Sequence, residues 1–367
     1  MPLGIHVLNA GIGESIVVEL PTGVWGVVDC YTSRLDDPES NPTLRFLKER
    51  GVGTLEFLCL THPHNDHFRG MSHLLENLKV KYFWRFGAFT PRDLKKVLLY
   101  YLKTTAELEG GDTVSDADEV TKIFSSVYHQ KTRGDIEKIF TLSDLKPLYP
   151  LPIGSDPDFE IQSIAPSSNI TADYEMALGR CFDDKLQLTE KVPHQRHNDV
   201  SVALIIRYGE TRVILGGDVE AANWRDSIGL LQADGFYADC VKVSHHGSTT
   251  GYTSALWPLL SGRRKPCAVV TPFRRFGLPK EDALRHIYTH CSSMLTTCRS
   301  ATPGGTANDA SAPLYDFKVQ ALLENRFREL RPYQPPRETG ICSIILERNG
   351  KYSYSCSGSE ASVVDWL

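Results

Sequence analysis

The stretch LCLTHPHNDHFRGM, Leu58 to Met71, sets His62, His64, Asp66 and His67 within six residues, directly after an apolar run. Alternate residues of an extended segment point the same way, so His62 and His64 face one ion. Asp66 and His67, just past a turn into a helix, face a second. Imidazole mixed with carboxylate suits zinc, with manganese or iron also within range. One carboxylate from elsewhere must then hold both ions. Asp218, closing VILGGD behind an apolar strand and a Gly-Gly turn, is the candidate. A lone histidine in such a place is more often a helix cap or a satisfied polar group. Four ligand-type side chains sharing one turn read as a metal site instead.

Two divalent ions about 3.5 to 4 Å apart hold a bridging hydroxide at neutral pH, a nucleophile for a phosphorus or carbonyl centre. A phosphodiester, nucleic acid included, is the substrate class the surroundings favour. HHGSTT offers Gly247, Ser248 and Thr249 as donors on a tight turn, and Arg69, Arg274 and Arg275 complement phosphate charge. The plain reading of Arg274 and Arg275, two solvated arginines in a loop, carries similar weight. Carboxyl esters, lactones and thioesters are the alternative substrates. Outside the enzyme class, the alternative is a metal-holding regulatory module without turnover.

Strand ends must deliver these groups. GIHVLNAG, SIVVEL and VWGVVDC read as strands between Gly-rich or Pro-Thr-Gly turns, and TLEFLCLTH as a buried strand whose end carries the first histidines. NPTLRFLKERG is a helix with an Asn cap and a Gly stop, and FRGMSHLLENL another. DVSVALIIRYGETRVILGGD is a hairpin turning at Gly209-Glu210, and ADCVKVSHHGS is a strand ending in histidines. A strand KPCAVVTPF, a helix KEDALRHIYTHC and a hairpin CSIILERNGKYSYSC turning at Asn349-Gly350 follow. A single domain over 1–367 is expected. It carries a mostly helical insertion over 90–150, placed to shape a pocket, and a C-terminal extension over 300–367 with the last hairpin.

With 367 residues the chain is long enough to bury a large core. A net charge of -5 argues against a uniformly basic nucleic-acid coat and leaves room for a local basic groove. No apolar run approaches the roughly 18 residues of a membrane span. MPLGIHVLNAGIGES lacks the basic and apolar regions of a signal peptide, so the cytoplasm is the expected location, without a membrane partner. Nine scattered cysteines with no CxxC pair fit buried thiols better than a disulfide frame.

HxHxDH, then GGD, then a strand ending HHGS resembles the metallo-β-lactamase fold superfamily. Within it, NAGIGESIVVEL, the strand GVVDC carrying Asp29, NDVSVALIIRYGETRVILGGDVE and DCVKVSHHGS are similar to the hydrolase domain of the DNA-uptake competence protein ComEC. The likeness covers about residues 4 to 290, the 90–150 insertion aside. It implies an α/β fold, an αββα sandwich with a dinuclear site on one edge. It implies His62 and His64 on the first metal, Asp66 and His67 on the second, and Asp218 bridging. One of His245 and His246 completes the second site. His246 is the expected ligand and His245 the phosphate contact or proton donor, which puts Asp66 and His245 at the reacting atoms. Asp29 is expected to orient the first cluster from behind. His197 lies about twenty residues before Asp218, where the superfamily has a further histidine on the first metal. Asn198 and His194 are the other residues for that place. The chain departs from the branch at Glu14, where aspartate is usual, and at Arg69, where glycine is usual. Leu278 in FGLP stands where the branch carries a histidine, which implies other substrate-binding groups or another substrate. No counterpart of the ComEC channel is visible, and DNA import is not implied.

Overall fold

The segment Ala203–Tyr208 shows how this sequence layers. Leu204 and Ile206 join one buried cluster while Ala203 and Ile205 join another. Alternate side chains of a strand leave on opposite faces, so such a strand sits in a sheet covered on both sides. The computed structural model describes residues 1–9, 11–87, 113–151, 156, 158–181, 194–298, 339–358 and 361–364.

The strands are β1 (Leu3–Asn9), β2 (Ser15–Glu19), β3 (Trp25–Val28), β4 (Thr54–Leu60), β5 (Lys79–Phe86), β6 (Lys138–Leu142), β7 (Lys146–Tyr149) and β8 (Phe159–Ala165). They continue as β9 (Ala203–Tyr208), β10 (Thr211–Leu215), β11 (Cys240–Lys242), β12 (Cys267–Val270), β13 (Ser293–Thr296), β14 (Gly340–Leu346), β15 (Tyr352–Ser357) and β16 (Ser362–Val363). Two eight-stranded sheets result, in the orders β15-β14-β1-β2-β3-β4-β5-β6 and β16-β13-β12-β11-β10-β9-β8-β7. The helices are α1 (Pro42–Lys48), α2 (Asn65–Phe68), α3 (Met71–Asn77), α4 (Thr113–Arg133), α5 (Ser168–Gly179), α6 (Ala221–Ala233), α7 (Leu256–Leu260) and α8 (Glu281–Thr289).

The larger cluster takes Ile5, Val7 and Ile16 from the first sheet together with Leu204, Ile206, Val213 and Val269 from the second. The other face of the second sheet, with Ile205, Ile214, Val241 and Ala268, packs on Trp224 and Ile228 of α6, Trp257 of α7 and Leu284 of α8. Helices α3 and α4 lie against β5 of the first sheet and bring Leu74, Leu75, Val120 and Ile123 into its core. The molecule is therefore an αββα sandwich. Asn41 caps α1 by accepting from the Thr43 and Leu44 amides, with Pro42 in the first turn.

Strands β3 to β6 run parallel, as do β10 to β13. Within each run the carboxyl ends share one edge, where open α/β sheets place their ligands. The hairpins at Gly209-Glu210 and Asn349-Gly350 join β9 to β10 and β14 to β15. The second of these pairs with β1 from Leu3↔Leu346 to Asn9↔Gly340, so it is part of the first sheet.

The stretch expected to be mostly helical over 90–150 differs at its end. Residues 138–142 are a strand parallel to β5, and 146–149 open the second sheet. Five residues of KIFTL alternate too briefly to stand out beside a 21-residue helix. Their pairing with β5 makes them a strand. Residues 88–112 and 299–338 lie outside the described residues, and with them much of the expected insertion and extension. All nine cysteines are free thiols. No helix among the described residues is long and apolar enough to cross a membrane.

Candidate metal centre

Five strand ends converge on one edge. β3 leads to Asp29 and β4 to Thr61 and His62, while His64 precedes α2, which holds Asp66 and His67. β10 leads through Gly216 and Gly217 to Asp218, β11 to the 3-10 turn Ser244–Gly247, and β12 to Thr271. Asp29, His245 and His246 adopt φ of 59°, 48° and 52°. Left-handed backbone at non-glycine residues costs about 1–3 kcal/mol each and persists only where surrounding contacts enforce it. Three such residues lie together at this edge.

Asp218 lies between two groups of imidazole donors, all buried except His245. Its Oδ2 is 3.7 Å from His62 Nε2 and 3.9 Å from His245 Nε2. Its Oδ1 is 3.5 Å from His67 Nε2 and 3.8 Å from His246 Nε2. Asp66 Oδ2 sits 3.4 Å from His67 Nε2 and 3.1 Å from His246 Nε2. His64 Nδ1 is 3.0 Å from His62 Nε2. Ligand-type atoms of His62, His64 and Asp218 all lie within 4.8 Å of one another, as do those of Glu14, His67, Asp218 and His246. These clusters of histidine and carboxylate could hold metal ions.

Contacts behind the rings aim them. His67 Nδ1 meets Asp29 Oδ2 at 2.7 Å, and Asp29 also accepts from the Thr61 amide and hydroxyl at 2.8 and 2.6 Å. With its hydroxyl donated to Asp29, Thr61 accepts from His62 Nδ1 at 3.0 Å. His246 Nδ1 donates to the Thr271 carbonyl at 2.9 Å. In each case the Nε2 side is left toward the carboxylates. His67 Nε2 and Asp218 Oδ1 are buried without a hydrogen-bond partner. Orphaned buried polar atoms are costly unless a cation meets them, so the donor set fits divalent ions of the zinc type.

Charge follows the same geometry. Burial alone works against ionisation of Asp66 and Asp218, but His67 and the neighbouring histidines reverse that and hold both carboxyls well below the usual range. Burial likewise opposes a charged His67, yet Asp218, Asp66 and Asp29 raise it well above an ordinary imidazole. His62 goes the other way, depressed by burial and then by His67. Burial pushes the Asp29 carboxyl up, against the pull of His67.

The remaining candidates fall in several places. His197 is buried, its ring centroid 5.8 Å from that of His64, with Nδ1 2.8 Å from the Tyr174 hydroxyl. Asn198 donates its amide nitrogen to Glu220 at 3.0 Å, and its Oδ1, the atom that could reach an ion, is buried without a hydrogen-bond partner. The His194 side chain lies outside what is described. His245 is partly exposed, with Nδ1 3.0 Å from Thr250 Oγ1 and 3.3 Å from Glu220 Oε1. Ser248 is buried and contacts Thr250, while Thr249 is exposed. Arg274 and Arg275 are half-buried, and the Arg274 amide donates to the Gly11 carbonyl. Leu278 is buried in a short bridge with Phe273, whose ring lies against His246.

Arg69, expected as a phosphate contact, is engaged within the protein. Its guanidinium pairs with Asp116 of α4, the side chains being 15% and 7% exposed. Glu119, one turn on, accepts from the Gly70 and Ser72 amides. These two carboxylates tie α4 to the segment behind the histidine turn. Sequence reasoning also passed over Lys242, Thr271 and Glu220, and noted Glu14 only as a replacement. The one available signal was Lys242 itself, a lone charge in the otherwise apolar CVKV.

No family model matches the chain, and no curated protein does. Solved structures are similar at a distance. A mutant of the CmlA β-hydroxylase matches with 14% identity and a TM-score of 0.35, over 71% of this chain and 38% of that one. The chain thus spans well under half of that protein's length. A diphosphatase of the PhnP family matches with 10% identity and a TM-score of 0.34, over 73% of this chain and 86% of its own. A metallo-β-lactamase from Cronobacter sakazakii matches with 9% identity and a TM-score of 0.34, over 65% of this chain and 75% of its own. Likeness at this level transfers no chemistry.

Proposed function

We propose that this protein is a dinuclear metal-dependent hydrolase of phosphodiesters, nucleic acids among them. The observation that carries the reading is Asp218, one oxygen toward His62 and His245 and the other toward His67 and His246. His62, His64 and His197 would hold one ion and Asp66, His67 and His246 the other, with Asp218 shared. Zinc is the metal this donor set favours, and manganese the second choice. Bound there, two such ions supply an activated water and neutralise charge as it develops at the reacting centre.

The chain's own groups do the rest. The buried carboxylate and imidazole cluster keeps its donors in place before substrate arrives. His245, held by Thr250 and Glu220 at the exposed side of the site, is the group placed to give a proton to the leaving oxygen. Ser248 and Thr249 on the following turn, with Arg274 and Arg275, offer donors to phosphate oxygens.

The test is to measure metal per chain in the wild type and in Asp218→Ala, with hydrolysis of a chromogenic phosphodiester and of single- and double-stranded DNA. Two ions per chain with hydrolysis that disappears in the variant are expected. Two ions without phosphodiester hydrolysis would move the reading to carboxyl esters, lactones or thioesters. That second reading draws support from Arg69, whose pairing with Asp116 removes one of three arginines available to phosphate.

A further inference from the structure

We infer that Glu14 and Lys242 form a buried positioning pair that holds the His67–His246 half of the centre together, and that Glu14 is not itself a ligand. The inference rests on the two-metal reading. Both residues are almost fully buried, and Lys242 Nζ is in direct contact with Glu14 Oε2. Glu14 lies in the turn before β2, in the first sheet, and Lys242 ends β11, in the second. On β11, Cys240 faces the inter-sheet core and Val241 the helices, so Lys242 points inward between the sheets. The pair therefore crosses the seam of the sandwich directly beneath the site.

Glu14 has ligand chemistry and lies near His67 and His246, yet on the wrong side of both rings. Its Oε1 is 4.0 Å from His67 Nδ1 and its Oε2 3.7 Å from His246 Nδ1. Those nitrogens are engaged by Asp29 and by the Thr271 carbonyl, while the Nε2 atoms face Asp66 and Asp218. A cation held among Asp66, Asp218 and the two Nε2 atoms would have the imidazoles between itself and Glu14. What Glu14 does touch, besides Lys242, are supports from two further segments. Its amide donates to the Asp66 carbonyl at 3.0 Å, and its Oε2 accepts from the Thr271 hydroxyl at 2.8 Å. Thr271 Oγ1 in turn lies 3.1 Å from His246 Nδ1. Asp66 comes from the first sheet and His246 from the second, so Glu14 links the supports of both.

Lys242 makes this arrangement tenable. A buried carboxylate beside Asp29, Asp66 and Asp218 needs a counter-charge, and removing one partner of a buried pair leaves the other uncompensated. Groups behind metal ligands typically change affinity 10–100-fold when altered.

The experiment uses the full chain as wild type, Glu14→Gln, Lys242→Met and the double variant, and measures the affinity of each zinc ion by chelator competition. Urea unfolding in chelator is run alongside. Each single variant is expected to weaken one of the two ions about 10–100-fold and leave the other unchanged. The double variant, a neutral pair that keeps an acceptor for Thr271, is expected to recover to within about threefold of wild type. A ligand role for Glu14 predicts instead that the double variant stays as deficient as Glu14→Gln, which would overturn the inference. Variants that lose metal-free stability while both affinities stay put would overturn it too, by making the pair merely structural. If Lys242→Met does not fold, the comparison of Glu14→Gln with the double variant still decides. A wild-type chain that binds no zinc would sink the two-metal reading itself. A wild type with two ions and indifferent variants would sink only this inference.

Discussion

Asp29 and His67 meet at 2.7 Å, and this contact decides which nitrogen of His67 faces the centre. An ionised Asp29, which also accepts twice from Thr61, has no proton to give, so the bond is donated by His67 Nδ1. Asp29→Asn separates this role from folding. Asparagine tolerates the φ of 59° and still accepts from the Thr61 amide, but its side-chain nitrogen cannot accept from His67. The variant should fold with an unchanged circular dichroism spectrum and bind metal about 10–100-fold more weakly. Wild-type affinity in chelator competition would remove Asp29 from the positioning of the site.

Arg69 and Asp116 make the second prediction. Both are substantially buried, and the pair ties α4 to the segment following the histidines. Arg69→Ala and Asp116→Ala should each destabilise by about 3 kcal/mol in urea unfolding, because each strands a buried charge. The double variant should cost clearly less than the sum. An Arg69 that served substrate alone would give an additive cycle with little loss of stability.

Two glycines with similar backbone and different surroundings give the third. Gly217 has φ 49°, and an added Cβ would lie 2.5 Å from the Val202 carbonyl and 2.9 Å from Ser201 Oγ, which accepts from the Asp218 amide. Gly235 has φ 60° and open space around it. Gly235→Ala should cost about 1 kcal/mol of conformational strain and leave metal content alone. Gly217→Ala should cost more and also lower metal content, by displacing Asp218. Equal effects in thermal melts and metal assays would mean that the crowding at Gly217 has no bearing on the centre.

What could be read from the sequence was whatever is concentrated locally. His62, His64, Asp66 and His67 share one turn, and GGD and HHGS each end a short apolar run, so residue type and strand end were visible together. The hairpins at Gly209 and Asn349 were legible for the same reason. What could not be read depends on distant pairing. Lys242 looks like an anomaly until the sheets stack and bring it to Glu14. Arg69 looks like a free cation until α4, carrying Asp116, lies against it. The strand Lys138–Leu142 has a weak pattern of its own and is defined by its register with β5. Periodicity reports the burial of one segment and is blind to the partner across a seam.

The last prediction concerns His6, away from the candidate metal centre. It sits in β1 with its ring stacked near Trp25 and tilted against Phe46, and Nδ1 2.9 Å from Ser343 Oγ. Burial, and then the nearby Arg50, lower its pKa from 6.5 to about 4. The folded protein therefore keeps His6 neutral where an unfolded chain has already taken up a proton. Its contribution to stability is complete above 6.5, is lost as the pH falls toward about 4, and does not change below that. The full loss is roughly 3 kcal/mol. His6→Gln keeps a polar partner for Ser343 and cannot titrate. In urea unfolding the stability difference between wild type and variant should shift by roughly 2 to 3 kcal/mol against the wild type between pH of about 7 and about 4.5. A difference that stays constant over that window would mean that His6 is hydrated or charged in the folded chain.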